Sequence, residues 1–202
     1  AASPAPFDPI STHALSDWDH HSKLLCCRVD PTGRYVASGA IDHTIACWEI
    51  SSGEKKVLAG HENWVRSLAF SPDGATLYSG GYDGRLIIWD LAAQTPHPRR
   101  TIQTDHGWVR GVAVSHDGER IATVGNDSAV RVWAAGDGEL VYACQGHPQI
   151  SYCVAFVPGS HDLLSGDVIG NIHHWGGADG KLLRKLDGME IHNMIGDIAP
   201  FG

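Results

Sequence analysis

No apolar run in this sequence approaches the ~18–20 residues that a membrane-spanning helix needs, so none of its 202 residues reads as a transmembrane segment. Basic residues are scarce. Lys and Arg number 15 against 23 Asp and Glu, a formal net charge of −8. A general nucleic-acid binder needs a basic face to neutralise phosphates, and the pair Arg99-Arg100 reads as a solvated edge instead. The five cysteines, Cys26, Cys27, Cys47, Cys144 and Cys153, are odd in number and form no C-x-x-C. Each falls in an apolar run, which predicts buried free thiols in place of a disulfide framework and points to a reducing, cytoplasmic compartment. The motifs H-E-x-x-H and G-x-S-x-G are missing, as is any Cys/His zinc spacing, which removes the usual signatures of a metalloprotease, an α/β-hydrolase and a zinc module. The start, AASPAPFDPI, has neither a charged n-region nor an apolar h-region. Residues 1–13 read as a linker or tail; the Ala-Ala start also fits an exported form after leader cleavage.

Turn residues are abundant, with 24 Gly and 10 Pro, and the balance of 43% hydrophobic to 19% charged residues suits a globular chain. The stretch Leu58–Leu91, LAGHENWVRSLAFSPDGATLYSGGYDGRLIIWDL, sets the pattern for the rest. Short runs rich in Val, Ile, Leu and Ala alternate with SPDG and YDG turns, which predicts strands bounded by tight turns. Trp48, Trp89, Trp133 and Trp175 recur at spacings of 41, 44 and 42. Innermost strands are expected at 24–29, 65–70, 109–114 and 151–156. The segment from Ala92 to Arg100 holds two prolines and is expected to be an exposed loop.

A period of about 40–45 residues, with Gly-His opening and Trp-Asp closing the unit, marks a four-stranded propeller blade. The chain therefore resembles the WD-repeat (WD40) family over residues 14–202. The resemblance implies an all-β propeller of four-stranded antiparallel blades near 14–58, 59–103, 104–144 and 145–186, with the start of a fifth at 187–202. Rings of this kind need about seven blades, so three closures compete: a longer parent protein, a homo-oligomer of two copies completing one ring, or a minimal four-blade ring.

The resemblance also implies a buried hydrogen-bond relay in each blade. Matched by position, the sets are His20, Ser38, Asp42 and Trp48; His61, Ser79, Asp83 and Trp89; His106, Thr123, Asp127 and Trp133; and His147, Ser165 and Trp175. In the fourth, Ile169 stands where the acid belongs, so that relay is either incomplete or served by Asp167. A catalytic triad is disfavoured because the serines lie inside strands and the set repeats. The pairs His20-His21 and His173-His174 point to opposite strand faces, and no metal or cofactor site is expected. His13, Asp17, Asp19 and His21 form a local cluster suited at most to adventitious metal.

In this family partners commonly dock where the innermost strand begins and the second-to-third turn ends. Those places hold Trp64, Arg66 and Tyr82 in the second unit, Trp108, Arg110 and Asn126 in the third, and Tyr152 in the fourth. Trp, Tyr and Arg are the types that most often carry interface energy, and paired arginines suit a carboxylate or phosphate. Alternatively, the tryptophans pack between blades and the arginines bond to neighbouring carbonyls. The leading function is a non-enzymatic scaffold binding a protein or peptide partner, with no nucleic acid and no membrane. The competing reading is the propeller portion of a larger enzyme or signalling protein.

Overall fold

A computed structural model describes residues 16–93, 95 and 97–186. The expected start of a fifth blade at 187–202, the linker at 1–13 and His13 lie outside the described residues. Among the described residues, sixteen strands form four antiparallel sheets, each a meander in chain order. The first holds β1 (Leu24–Val29), β2 (Tyr35–Ala40), β3 (Thr44–Glu49) and β4 (Lys55–Ala59). The second holds β5 (Val65–Phe70), β6 (Thr76–Gly81), β7 (Arg85–Asp90) and β8 (Pro98–Gln103). The third holds β9 (Val109–Val114), β10 (Arg120–Gly125), β11 (Val130–Ala134) and β12 (Leu140–Cys144). The fourth holds β13 (Ser151–Phe156), β14 (Leu163–Asp167), β15 (Ile172–Trp175) and β16 (Leu182–Leu186). No helix occurs among the described residues.

One expectation fails locally. The connection after β7 is shorter than AAQTPHPRR suggested, because Pro98 opens β8 and pairs with Trp89. Proline has no N–H to donate, and β8 is an outermost strand, so the missing donor costs no ladder bond. The turns between second and third strands share one demand: the residue at 43, 84, 128 or 170 takes a positive φ. Glycine supplies it at 84 and 170, while His43 (φ 72°) and Ser128 (φ 63°) adopt the same left-handed conformation at some cost.

The sheets stack through three hydrophobic layers. Ala37, Ile45 and Cys47 of the first sheet meet Leu68, Leu77 and Trp89 of the second. Tyr78, Leu86 and Ile88 meet Val109, Ile121 and Trp133. Ala122, Val130 and Val132 meet Phe156, Leu163 and Trp175. Trp89, Trp133 and Trp175 thus each pack against the preceding sheet, burying about 150–250 Å² of aromatic surface. Among the described residues no sheet packs on Trp48; Trp18 stacks on it, with ring centroids 6.2 Å apart and planes at 16°. Glycine lets the layers close: a Cβ on Gly80 would fall 2.5 Å from Val109 of the next sheet. Among the described residues no hydrophobic layer joins the fourth sheet to the first. The four sheets form an open propeller arc.

The thiols are free, as expected, but not uniformly buried. Cys47, Cys144 and Cys153 are buried, Cys26 is half-buried, and Cys27 is exposed. Cys27 lies on β1, an innermost strand whose alternate side chains face outward from the packed layer. Burial pushes the Cys26 thiol up to about 11 and those of Cys47 and Cys144 up to about 12, so none of these three is poised as a nucleophile.

Candidate interaction face

The loops at one end of the arc are held by buried polar chains. In the second sheet His61 Nε2 meets Ser79 Oγ at 2.7 Å and Nδ1 meets Asp83 at 2.9 Å, while the Trp89 indole donates to Ser79 at 2.8 Å. The third repeats this with His106, Thr123, Asp127 and Trp133, at 2.8, 2.5 and 2.8 Å. Burial alone would raise the carboxyl of Asp83, but bonds from His61 and from the Glu62 and Arg85 amides outweigh it and leave the group below its ordinary value.

The outer two sheets depart from this. In the first, His20 turns Nδ1 to Ser38 (2.6 Å) and Nε2 to Thr44 (3.1 Å), leaving Asp42 3.5 Å away. Trp48 does not donate to Ser38; it lies under Trp18 with the Lys55 ammonium over its ring. In the fourth, His147 and Trp175 both bond Ser165, at 2.6 and 2.7 Å. Asp167 turns inward and is buried, yet stays 3.5 Å from His147 Nδ1, which lacks a hydrogen bond. Its oxygens are taken by the Ile169 and Asn171 amides and the Asn171 side chain. The fourth relay is therefore incomplete, and His147 stacks on His173 with centroids 4.0 Å apart.

On these supports stands an aromatic row. Trp64 stacks on Tyr82 (5.7 Å, 29°) and Tyr82 on Trp108 (4.3 Å, 8°). Both tryptophans stay exposed, at 43% and 42%. They do not pack between the sheets. Below the row, Arg110 Nε donates to Asn126 at 2.7 Å and its guanidinium lies over Trp108, Tyr82 and Tyr152. Arg66 donates to the Tyr152 hydroxyl at 3.2 Å and lies over the same ring. The Arg66 bond holds the Tyr152 phenol below its ordinary value. Among the described residues neither arginine forms an ion pair with a carboxylate. All seven residues named from the sequence, Trp64, Arg66, Tyr82, Trp108, Arg110, Asn126 and Tyr152, belong to this one connected cluster.

The feature that brings them together has no sequence signal. Each innermost strand carries a register shift at its second residue: Leu25, Arg66, Arg110 and Tyr152 occupy the irregular position. A bulge re-aims the side chain it carries. Here it turns these four residues toward an open groove of about 490 Å³ lined by the inner strands, among them Cys26 and Arg28. Ile41 and Val168, at the turn positions of the first and fourth sheets, are only half-buried and offer no comparable polar group.

Of the histidine cluster near the start, His21 pairs with Asp19 at 2.7 Å; Asp17 makes no described bond with them.

The family model described as "WD domain, G-beta repeat" matches residues 12–49, 53–90 and 97–134, together more than half of the chain. Among curated proteins, the chain is 36% identical over 92 residues to "WD repeat, SAM and U-box domain-containing protein 1" of Danio rerio, covering 45% of this chain and 18% of that protein. It is 38% identical over 99 residues to "Nuclear distribution protein nudF" of Aspergillus terreus, covering 49% and 22%. It is 42% identical over 72 residues to "Periodic tryptophan protein 2 homolog" of Neurospora crassa, covering 35% and 8%. Each match thus takes in less than a quarter of the relative's own length. A chain of the solved structure described as "Crystal Structure of Mitotic Checkpoint Complex" superposes over 88% of this chain and 55% of its own, with a TM-score of 0.79 at 24% identity. At that identity the likeness shows the fold.

Proposed function

The chain belongs to the WD-repeat family, and from that premise we propose that it is a non-enzymatic scaffold binding an acidic protein or peptide segment across its second and third sheets. WD-repeat proteins generally serve protein interaction. The observation that carries the finer reading is the pair Arg66 and Arg110. Both guanidiniums lack a carboxylate among the described residues, although the chain has a net charge of −8. Both are oriented by Tyr152, and Arg110 also lies against the ring of the exposed Trp108. Such a site offers bidentate donors to a carboxylate and flat apolar surface to the residues beside it.

A peptide array of acidic sequences, probed with the wild type and with Arg66→Ala/Arg110→Ala, tests this. Recovery of the same peptides at the same strength by both proteins refutes it; loss of acidic peptides in the double variant supports it.

A second reading rests on the short coverage of the relatives, one of which carries SAM and U-box domains by its description. On that reading the chain is the propeller portion of a larger enzyme or signalling protein. The same face then serves to bring a substrate or partner to chemistry located elsewhere.

A further inference from the structure

The opposite end of the innermost strands carries a different cluster. His116 and Asp117, in the turn between β9 and β10, meet His161 from the connection between β13 and β14, with one ligand atom of each within 4.8 Å of the others. We propose that these three side chains form a site for a zinc-type divalent cation that ties the third sheet to the fourth.

The donor set fits that ion. Two imidazoles and one carboxylate, with a fourth position open to water, match zinc, whereas calcium and magnesium favour all-oxygen shells. Tetrahedral bonds of ~2.0–2.2 Å set ligand atoms roughly 3.3–3.5 Å apart, which small rotations of these exposed side chains can reach.

Two of the three ligands are already oriented. Asp117 Oδ1 accepts from Ser115 Oγ (2.6 Å) and the Glu119 amide (3.0 Å), which turns Oδ2 toward His161 Nε2 at 2.7 Å. The backbone of His161 is pinned by Gly177: a Cβ there would fall 2.3 Å from the His161 carbonyl carbon. The Gly177 carbonyl in turn accepts from Arg120 and from Tyr142 (3.2 Å), both of the third sheet. The His116 ring lies 5.7 Å from that of His161 and makes no hydrogen bond among the described residues. A cation entering here replaces the direct His161–Asp117 bond by two coordinate bonds and recruits His116 as a third.

Its consequence follows from linkage. The ligands come from two sheets and converge only in the folded arc, so the bound ion stabilises the junction. That junction holds the fourth sheet, where His147 Nδ1 lacks a hydrogen bond.

The test is calorimetric titration of zinc chloride into the metal-free full chain, with thermal melts in parallel. A single equivalent should bind and raise Tm, while calcium and magnesium leave it unchanged. His161→Ala, His116→Ala and Asp117→Asn should each weaken binding by at least about tenfold, the loss that even an outer-shell partner causes. His21→Ala should bind as the wild type does. Circular dichroism checks each fold, and His116→Ala has no hydrogen bond to lose, so it serves if either of the others misfolds. Absence of zinc heat, unchanged affinity in any folded variant of the three, or loss of binding in His21→Ala overturns the proposal.

Discussion

Arg66 of the second sheet donates to the hydroxyl of Tyr152 in the fourth, 3.2 Å away across the inner groove and 86 residues on in the chain. Arg110, from the sheet between them, lies over the same ring at 5.2 Å. One phenol therefore orients two guanidiniums.

Tyr152→Phe keeps the ring beneath both arginines and removes the acceptor. A hydrogen bond to a charged group is worth about 1.5–3 kcal/mol when dry, and less at a half-open site such as this, so stability should fall by about 1 kcal/mol or less in a urea melt. In the wild type, tyrosinate absorbance should reveal a phenol ionising below ordinary tyrosine, and Arg66→Gln should move that ionisation upward, since the Arg66 bond is the largest cause of the lowering.

The relays make a graded prediction. Asp83→Ala leaves His61 Nδ1 and the Glu62 and Arg85 amides without their acceptor, at about 1–3 kcal/mol for a buried unpaired group. Asp42→Ala should cost clearly less, because Asp42 is 3.5 Å from His20 and its side chain is 40% exposed. Equal losses in chemical denaturation would count against the assignment.

Acid should unsettle the fourth sheet first. Burial lowers His147 to about 4, from an ordinary 6.5, helped by the stacked His173 and by Lys185 and opposed by Asp167. Between those values the unfolded chain binds the proton and the folded one does not, so stability falls as pH falls from 6.5 to 4. At ~1.4 kcal/mol per pH unit the loss is on the order of 3 kcal/mol. Lowered Asp carboxyls take effect only below that window. Urea melts of His147→Gln should show a lower stability at pH 7 and a flatter slope across it.

The blade rhythm was legible because every demand on it is local: strand periodicity, turn chemistry and a tryptophan that must bury itself. The seven face residues were also legible, since each occupies a loop or strand-start position fixed by that rhythm. The bulges at Leu25, Arg66, Arg110 and Tyr152 were not, because a register shift is decided by strand pairing and leaves no residue type behind. Neither was Trp18 over Trp48, because Trp18 lies ahead of the first strand, where the repeat pattern assigns it no place. The failed fourth relay was half visible: Ile169 announced the missing acid, but the 3.5 Å shortfall of Asp167 depends on how its turn spends the carboxylate.

Trp64→Ala and Trp108→Ala should separate binding from folding. Both rings are more than 40% exposed, so each substitution should leave Tm nearly unchanged while weakening peptide capture by about 1–2 kcal/mol, the scale of an interface anchor. Matched melts and array intensities check this.

The most direct measurement follows the indole N–H signals of the chain by NMR while the strongest acidic peptide from the array is added. The signals of Trp64 and Trp108 should move, weaken in response to added salt, and stay fixed in Arg66→Ala/Arg110→Ala, while the buried Trp89, Trp133 and Trp175 remain still. Shifts confined to the buried tryptophans, or an unaltered response in the double variant, would contradict the account.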